Sequence, residues 1–234
     1  MTCACEKTIC GFAVLPFPEK PDYLPISHED FRQETLAAWS RGGFGEKIAA
    51  ALYGGEREWA ALYKDSDPSV RGAVACRGSE SIQLKMLSDP EPMVRKLLAR
   101  YGTDKVRTAA VKGWETDTEV LMEIAKWGGT ATKRRVMELA WHLPETLKQV
   151  IPYLSPGCIK KLEIYPDREV QFQAAMHGGM AQCQRFLDTI RNNRDAGSWL
   201  MSWNIQARVE ELGQVKKALL GGLSRSIKHT EMER

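Results

Sequence analysis

Apolar residues along most of this chain recur three and four positions apart, the period of a helix with one buried face, and polar breaks interrupt them at short intervals. Three segments share one pattern: DPSVRGAVACRG at 67–78, DTEVLMEIAKWG at 117–128 and DREVQFQAAMHG at 167–178. Each opens with Asp, places Val fourth and a small or branched apolar residue eighth, and closes with Gly. The Asp suits a helix N-cap, where its carboxylate accepts from unpaired amides. The fourth and eighth positions lie one turn apart on one face. The final Gly is expected to end the helix in the left-handed conformation. Each segment therefore predicts one capped helix of about two turns, too short to stand alone.

Partial copies occupy the gaps. DPEPMVRKLLARYG at 89–102 and TDKVRTAAVKG at 103–113 repeat the Val-Arg pair and the Gly, and SESIQLKML at 79–87 reads as a second helix between copies. Val70, Val94 and Val120 stand 24 and 26 residues apart. Short helices recurring at that period bury their apolar faces only against their neighbours, which predicts an all-α protein, an α-solenoid of stacked helix pairs. Residues 1–27 form a Cys- and Pro-rich leader, whose Pro16, Pro18, Pro21 and Pro25 favour an extended path. The repeat domain is expected over 28–222, starting with Ser27 as an N-cap. A longer capping helix at 198–220 is expected to bury Leu200, Trp203, Ala207 and Leu212. Gly221 and Gly222 then release a polar tail at 223–234.

The Asp-Pro-x-Val-Arg-x-x-Val-Ala-x-x-Gly phrasing of 67–78, echoed at 89–102, resembles HEAT-like repeats and their short relative, the leucine-rich repeat variant. The likeness is closest over 65–130, looser to 180 and absent from the leader and the last forty residues. Val170 is followed by Gln171 where the pattern has Arg. The resemblance implies that Arg71, Arg95 and Arg107 either knit adjacent repeats together or touch a ligand, and Asp67 with Arg71 has the spacing of a helical ion pair. Leucine-rich repeat variant proteins carry an N-terminal Cys-rich cluster, which gives Cys3, Cys5 and Cys10 a metal reading, zinc or an iron–sulfur cluster. The alternative is a reduced, flexible leader without a cofactor, and the C-x-C-x4-C spacing favours that reading.

Charge changes the picture more than composition does. The 234 residues carry a formal net charge of +3, too small to imply nucleic acid. The distribution is uneven: residues 1–67 hold seven Lys/Arg against eleven Asp/Glu, and residues 95–135 hold ten against five. Lys96, Arg100, Lys105, Lys112, Lys133, Arg134 and Arg135 are thus the candidate partner-binding cations. Lys133–Arg135 open a helix, where the dipole disfavours them. Trp114, Trp127 and Trp141 lie among these cations, either as repeat core or as stacking platforms. No P-loop, G-x-S-x-G or H-E-x-x-H motif occurs, and the four histidines show no catalytic spacing. The sequence therefore predicts a non-catalytic, cytoplasmic interaction module for a protein or nucleoprotein partner. Direct nucleic-acid binding, in the manner of the HEAT-like DNA glycosylases, is the alternative. No window has the length and apolarity of a membrane helix. The pattern leaves oligomeric state open.

Overall fold

A computed structural model describes residues 8–9, 11–13, 16–21, 24, 27–113, 115–191 and 196–232, with side chains of 8, 9, 13, 196 and 218–232 outside that description. Apart from a hairpin of two-residue strands, β1 (Thr8–Ile9) and β2 (Phe12–Ala13), the regular structure described is helical. After α1 (His28–Trp39) come six helix pairs among the described residues. They are α2 (Phe44–Tyr53) with α3 (Glu56–Leu62), α4 (Pro68–Arg77) with α5 (Glu80–Lys85), and α6 (Pro92–Tyr101) with α7 (Asp104–Lys112). Then follow α8 (Thr118–Trp127) with α9 (Thr130–Ala140), α10 (Pro144–Val150) with α11 (Pro156–Lys161), and α12 (Arg168–His177) with α13 (Met180–Ile190). The last helix, α14, spans Ala196–Met232.

The pairs keep a strict register. The residues preceding the first helices are 43, 67, 91, 117, 143 and 167, and the second helix always starts twelve residues after the first. Asp67, Asp117 and Asp167 cap as expected, each carboxylate accepting a backbone N–H at 2.7–3.1 Å. Three pairs depart at the first position: Gly43, Glu91 and Leu143 precede their helices without a side-chain cap. In the fifth pair Pro152 falls where the others continue an α-helix, and the turn tightens to 3₁₀ over Ile151–Tyr153.

The helices group into two compact units, residues 1–139 and 140–234. In the first, α2, α4, α6 and α8 lie side by side in chain order. Their small, fully buried residues, Ala49, Ala50, Ala51, Ala73 and Ala75 among them, allow close approach. In the second, Ile205 and Val209 of α14 pack with Cys183, Phe186 and Ile190 of α13 and Phe172 and Ala175 of α12.

An ionic ladder joins the first-unit helices at one register position. The fourth helical residue of α2, α4 and α6 is Lys47, Arg71 or Arg95. Each reaches forward to the acidic residue two before the next helix's N-cap. Lys47 meets Asp65 at 2.8 Å, Arg71 meets Asp89 through both carboxylate oxygens at 2.7 and 3.0 Å, and Arg95 meets Glu115 at 2.8 and 3.2 Å. Arg71 also donates to the Asp65 carbonyl, and Arg95 to the Asp89 carbonyl. The expected Asp67–Arg71 pair does not form, because Asp67 is committed to the Ser69 amide and the guanidinium fork is drawn to Asp89. Burial pushes the Asp65 carboxyl up, but the Lys47 ammonium, the Asp67 amide and the nearby Arg71 charge together outweigh this and hold it below the ordinary carboxylate range. A second row links the following helices: Ser81 donates to Glu56, Thr103 and Lys105 to Glu80, and the Gly129 amide to Asp104. From the fourth pair onward the ladder register holds Leu121, Leu147 and Gln171 instead. In the second unit Trp141 and Tyr165 occupy the acceptor register, stacking edge-on at 5.0 Å, with the Tyr165 hydroxyl bonded to the Trp141 carbonyl.

The glycines that end the first helices act through space and not through handedness. Gly78, Gly102, Gly128 and Gly178 have φ between −58° and −85°, so the left-handed conformation expected of them is absent. A Cβ would instead stand 2.5–2.9 Å from the carbonyl oxygen four residues earlier. The chain turns so tightly into the second helix that only hydrogen fits. Among the described glycines only Gly11, in the hairpin turn, has positive φ, at +85°.

Two other expectations are corrected. Leu200 and Trp203 face solvent, 56% and 62% exposed, and Ala207 is exposed as well. The stripe that α14 buries runs through Ser198, Met201, Ile205, Val209 and Leu212, rotated about half a turn away. The helix also continues through Gly213, Gly221 and Gly222 to Met232, past the break expected at 221–222, since glycine costs a helix only about 1 kcal/mol. In the leader, Phe17 packs against Trp39 and Tyr53, and Phe12 lies over Gly72. No described helix is long and apolar enough to cross a membrane.

Asp89→Ala strands the Arg71 guanidinium, whose side chain is only 12% exposed, and should cost about 3 kcal/mol. Lys96→Ala breaks a pair whose Glu119 is 70% exposed and should cost less than about 1 kcal/mol. Urea denaturation midpoints of the two variants check this order. Gly102→Ala should destabilise by about 1–3 kcal/mol through overpacking against the Leu98 carbonyl, and calorimetry showing an unchanged melting temperature would refute the steric account.

Candidate functional site

The repeat register decides which candidate cations can act together. Lys96 sits in the first half of α6 and Arg100 at its end, Lys105 at the start of α7 and Lys112 at its end, and Lys133, Arg134 and Arg135 within α9. These positions lie at both ends of the helix layers, so the structure does not gather the seven into one patch. Several are already neutralised: Lys96 pairs with Glu119 at 2.5 Å, Lys105 with Glu80 at 2.7 Å and Arg135 with Glu138 at 3.1 Å. Lys112 and Arg134 are exposed and Lys133 half-buried, without an ion-pair partner among the described residues.

The three Val-Arg arginines also divide. Arg71 and Arg95 are ladder residues, their guanidinium groups consumed by Asp89 and Glu115. Arg107 belongs to a second helix, at the register of Trp59, Gln83 and Cys183. Those three donate from that place to the carbonyls of Ala51, Ala75 and Ala175. Arg107 instead donates to the Gly102 carbonyl, and its Nε is buried without a partner among the described residues. Burial lowers its pKa from the ordinary guanidinium value, partly offset by Asp104.

A different set of residues does converge. The last residue of each first helix in the first unit is Tyr53, Arg77, Tyr101 or Trp127. The helices lie side by side in the register that the ladder fixes, so these four side chains form a row along one edge. The turn glycine after each brings the second helix close, adding Arg57 and Lys105 from the second residues of α3 and α7. Tyr101 is 38% and Trp127 47% exposed. The Arg100 guanidinium lies 5.5 Å from the Tyr101 ring centre and the Lys126 ammonium 5.3 Å from that of Trp127, cation–π contacts both. The Trp127 indole N–H donates to Glu123 at 2.8 Å. Acidic Glu56, Glu80 and Asp104 lie along the same edge, already engaged in the second row of hydrogen bonds.

The first place in the row is occupied. Phe17, from the extended leader, sits 5.8 Å from Tyr53 and 5.2 Å from Trp39, with the Arg32 guanidinium over its ring at 5.3 Å. Tyr53 is half-buried as a result, and the open part of the row begins at Arg77.

Of the sequence candidates, only Arg100, Lys105 and Trp127 fall on this edge. Trp141 is packed against Tyr165 in the second unit. Trp114 and the candidate metal ligands Cys3, Cys5 and Cys10 lie outside the described residues, and among those described no three His, Cys, Asp or Glu side chains gather as a metal site would require. Tyr53 and Tyr101 were missed although both directly precede a turn Gly, a signal that aligning the glycines exposes. No family model, curated protein or solved structure matches the chain.

The split between the arginines is measurable. Arg107→Met removes a half-buried charge with an unpaired Nε and should leave stability level or raise it by up to about 1 kcal/mol, whereas Arg71→Met isolates buried Asp89 and should lower it by about 3 kcal/mol. Equal losses in chemical denaturation would place Arg107 in the ladder after all.

Proposed function

We propose that the chain is a non-catalytic α-solenoid module of HEAT-like helix pairs that binds an extended segment of a protein partner along its helix-end row. The observation that carries this reading is the repetition itself: Tyr53, Arg77, Tyr101 and Trp127 at one register position, the first already holding Phe17 of an extended stretch. That internal contact is a working example of what the edge accepts, an aromatic side chain presented by a chain with no secondary structure of its own.

Tyr, Trp and Arg are the side chains that dominate protein–protein hot spots. Arg77, Arg100 and Lys126 add a preference for acidic residues beside the partner's aromatic groups. Single-stranded nucleic acid needs open ring faces for stacking, and here Arg100 and Lys126 lie over the rings. The mixed charge of the edge, where each acidic residue already has a hydrogen-bond partner, also suits a protein better than a run of phosphates. A cytoplasmic setting, in which thiols stay reduced, suits the buried Cys76, Cys158 and Cys183.

The test is affinity capture from native lysate with the full chain, with and without nuclease, for wild type and for Tyr101→Ala with Trp127→Ala. Both residues are surface-exposed, so the double variant should retain its far-ultraviolet circular dichroism. Partner retention should survive nuclease and fall at least about thirtyfold in the double variant. A partner released by nuclease would point to nucleic acid. Retention lost only when Lys112, Lys133 and Arg134 are changed to Ala would place the surface on those cations.

A further inference from the structure

The outer face of α14 is apolar where an isolated helix has no reason to be. The helix buries one stripe, centred on Ile205, against α12 and α13. On the opposite side, spaced four residues apart, come Trp199, Trp203 and Ala207, with Leu200 beside them. Trp199 and Trp203 are 67% and 62% exposed and their rings lie 5.9 Å apart. Glu210, Gln214 and Lys217 continue the same face and are exposed. A helix with two apolar stripes has two surfaces to cover, and the fold covers one.

We infer that this face is the contact surface of a homodimer, in which α14 of two copies pair antiparallel about a two-fold axis at Trp203. This surface is separate from the helix-end row and does not rest on the function assigned to it. Two features favour a second copy as the occupant. The first is shape: with the axis at Trp203, Trp199 of each copy meets Ala207 of the other, so that the largest side chain of the stripe faces its smallest. The same ridge of residues four apart is presented by both helices, the arrangement that packs ridge into groove, and a two-fold contact requires such self-complementarity.

The second is area. A whole indole side chain buries at most ~250 Å², so at the exposures above the two tryptophans offer about 320 Å² per copy and roughly 640 Å² in a pair. That is about half of the ~1,200 Å² at which stable interfaces begin, before Leu200, Gln206, Ala207 and Glu210 contribute. The polar rim is present too, with Asp188 and Arg191 on α13's end of the groove beside Trp199.

Sedimentation velocity of the full chain across the micromolar range tests this. Wild type should be dimeric. Trp203→Glu should weaken association at least about thirtyfold, the loss expected of a central aromatic anchor, with unchanged circular dichroism because the residue is exposed in the monomer. The register has its own test in a size exchange: Trp199→Ala alone and Ala207→Trp alone should each weaken the dimer, and the two together should restore it, since each large side chain again meets a small one. A wild type that stays monomeric throughout overturns the proposal. So does a dimer indifferent to Trp203→Glu, or a double variant no tighter than its singles.

Discussion

The forward ion pair from the fourth residue of one helix to the acidic residue before the next is the interaction that sets the first unit. Arg71 and Arg95 each bind a carboxylate through two nitrogens while a third nitrogen donates to a backbone carbonyl of the preceding turn. One guanidinium thereby ties its own helix, the loop before it and the loop after it. A bidentate contact fixes orientation as well as distance, so the ladder dictates how each helix pair sits on its neighbour. It works beside the apolar core that runs from Ile48 to Val106 through the same helices, because helices this short are not stable alone.

That constraint has consequences at the other end of the same helices. With their starts held in register, their last residues come into line, and Tyr53, Arg77, Tyr101 and Trp127 become a row although they are 24 to 26 residues apart in sequence. The ladder also withdraws two strong cations, Arg71 and Arg95, from any ligand. What remains available for recognition is the set of side chains that the ladder positions without using. Where the register holds Leu121 the Arg71–Arg95 row stops, and the second unit is joined by other pairs, Lys148 with Glu169 at 3.0 Å and Arg185 with Glu163 at 2.6 Å, beside Trp141, Tyr165 and the packing of α14.

The close of each first helix shows the same economy. A tight turn brings the second helix back against the first, and the Cβ of any other residue would collide with a carbonyl oxygen. The second helix can then donate from Trp59, Gln83 or Cys183 into carbonyls of the first helix's last turn. The turn glycine, the returning donor and the exposed helix-end residue are thus one device. It both stabilises the pair and presents an aromatic or cationic side chain at the edge.

The sequence by itself determined the helical content, the aspartate caps and the 24- to 26-residue rhythm, because these follow from local spacing and from bonds within a few residues. It also marked the Val-Arg arginines and the turn glycines as special, while misjudging the partner of Arg71 and the reason for Gly78. Both errors have one cause: the deciding atoms, the Asp89 carboxylate and the Val74 carbonyl, come into place only through folding. The candidate surface was legible only in pieces. Composition drew attention to cations at 95–135, but tertiary packing sent Arg95, Lys96 and Lys105 to acidic partners 20 to 25 residues away. Only tertiary structure decided which stripe of α14 is buried, because Leu200-Trp203-Ala207 and Met201-Ile205-Leu212 are both helical apolar patterns. The choice fell to the one that fits against Phe172 and Phe186, and it left two tryptophans facing water.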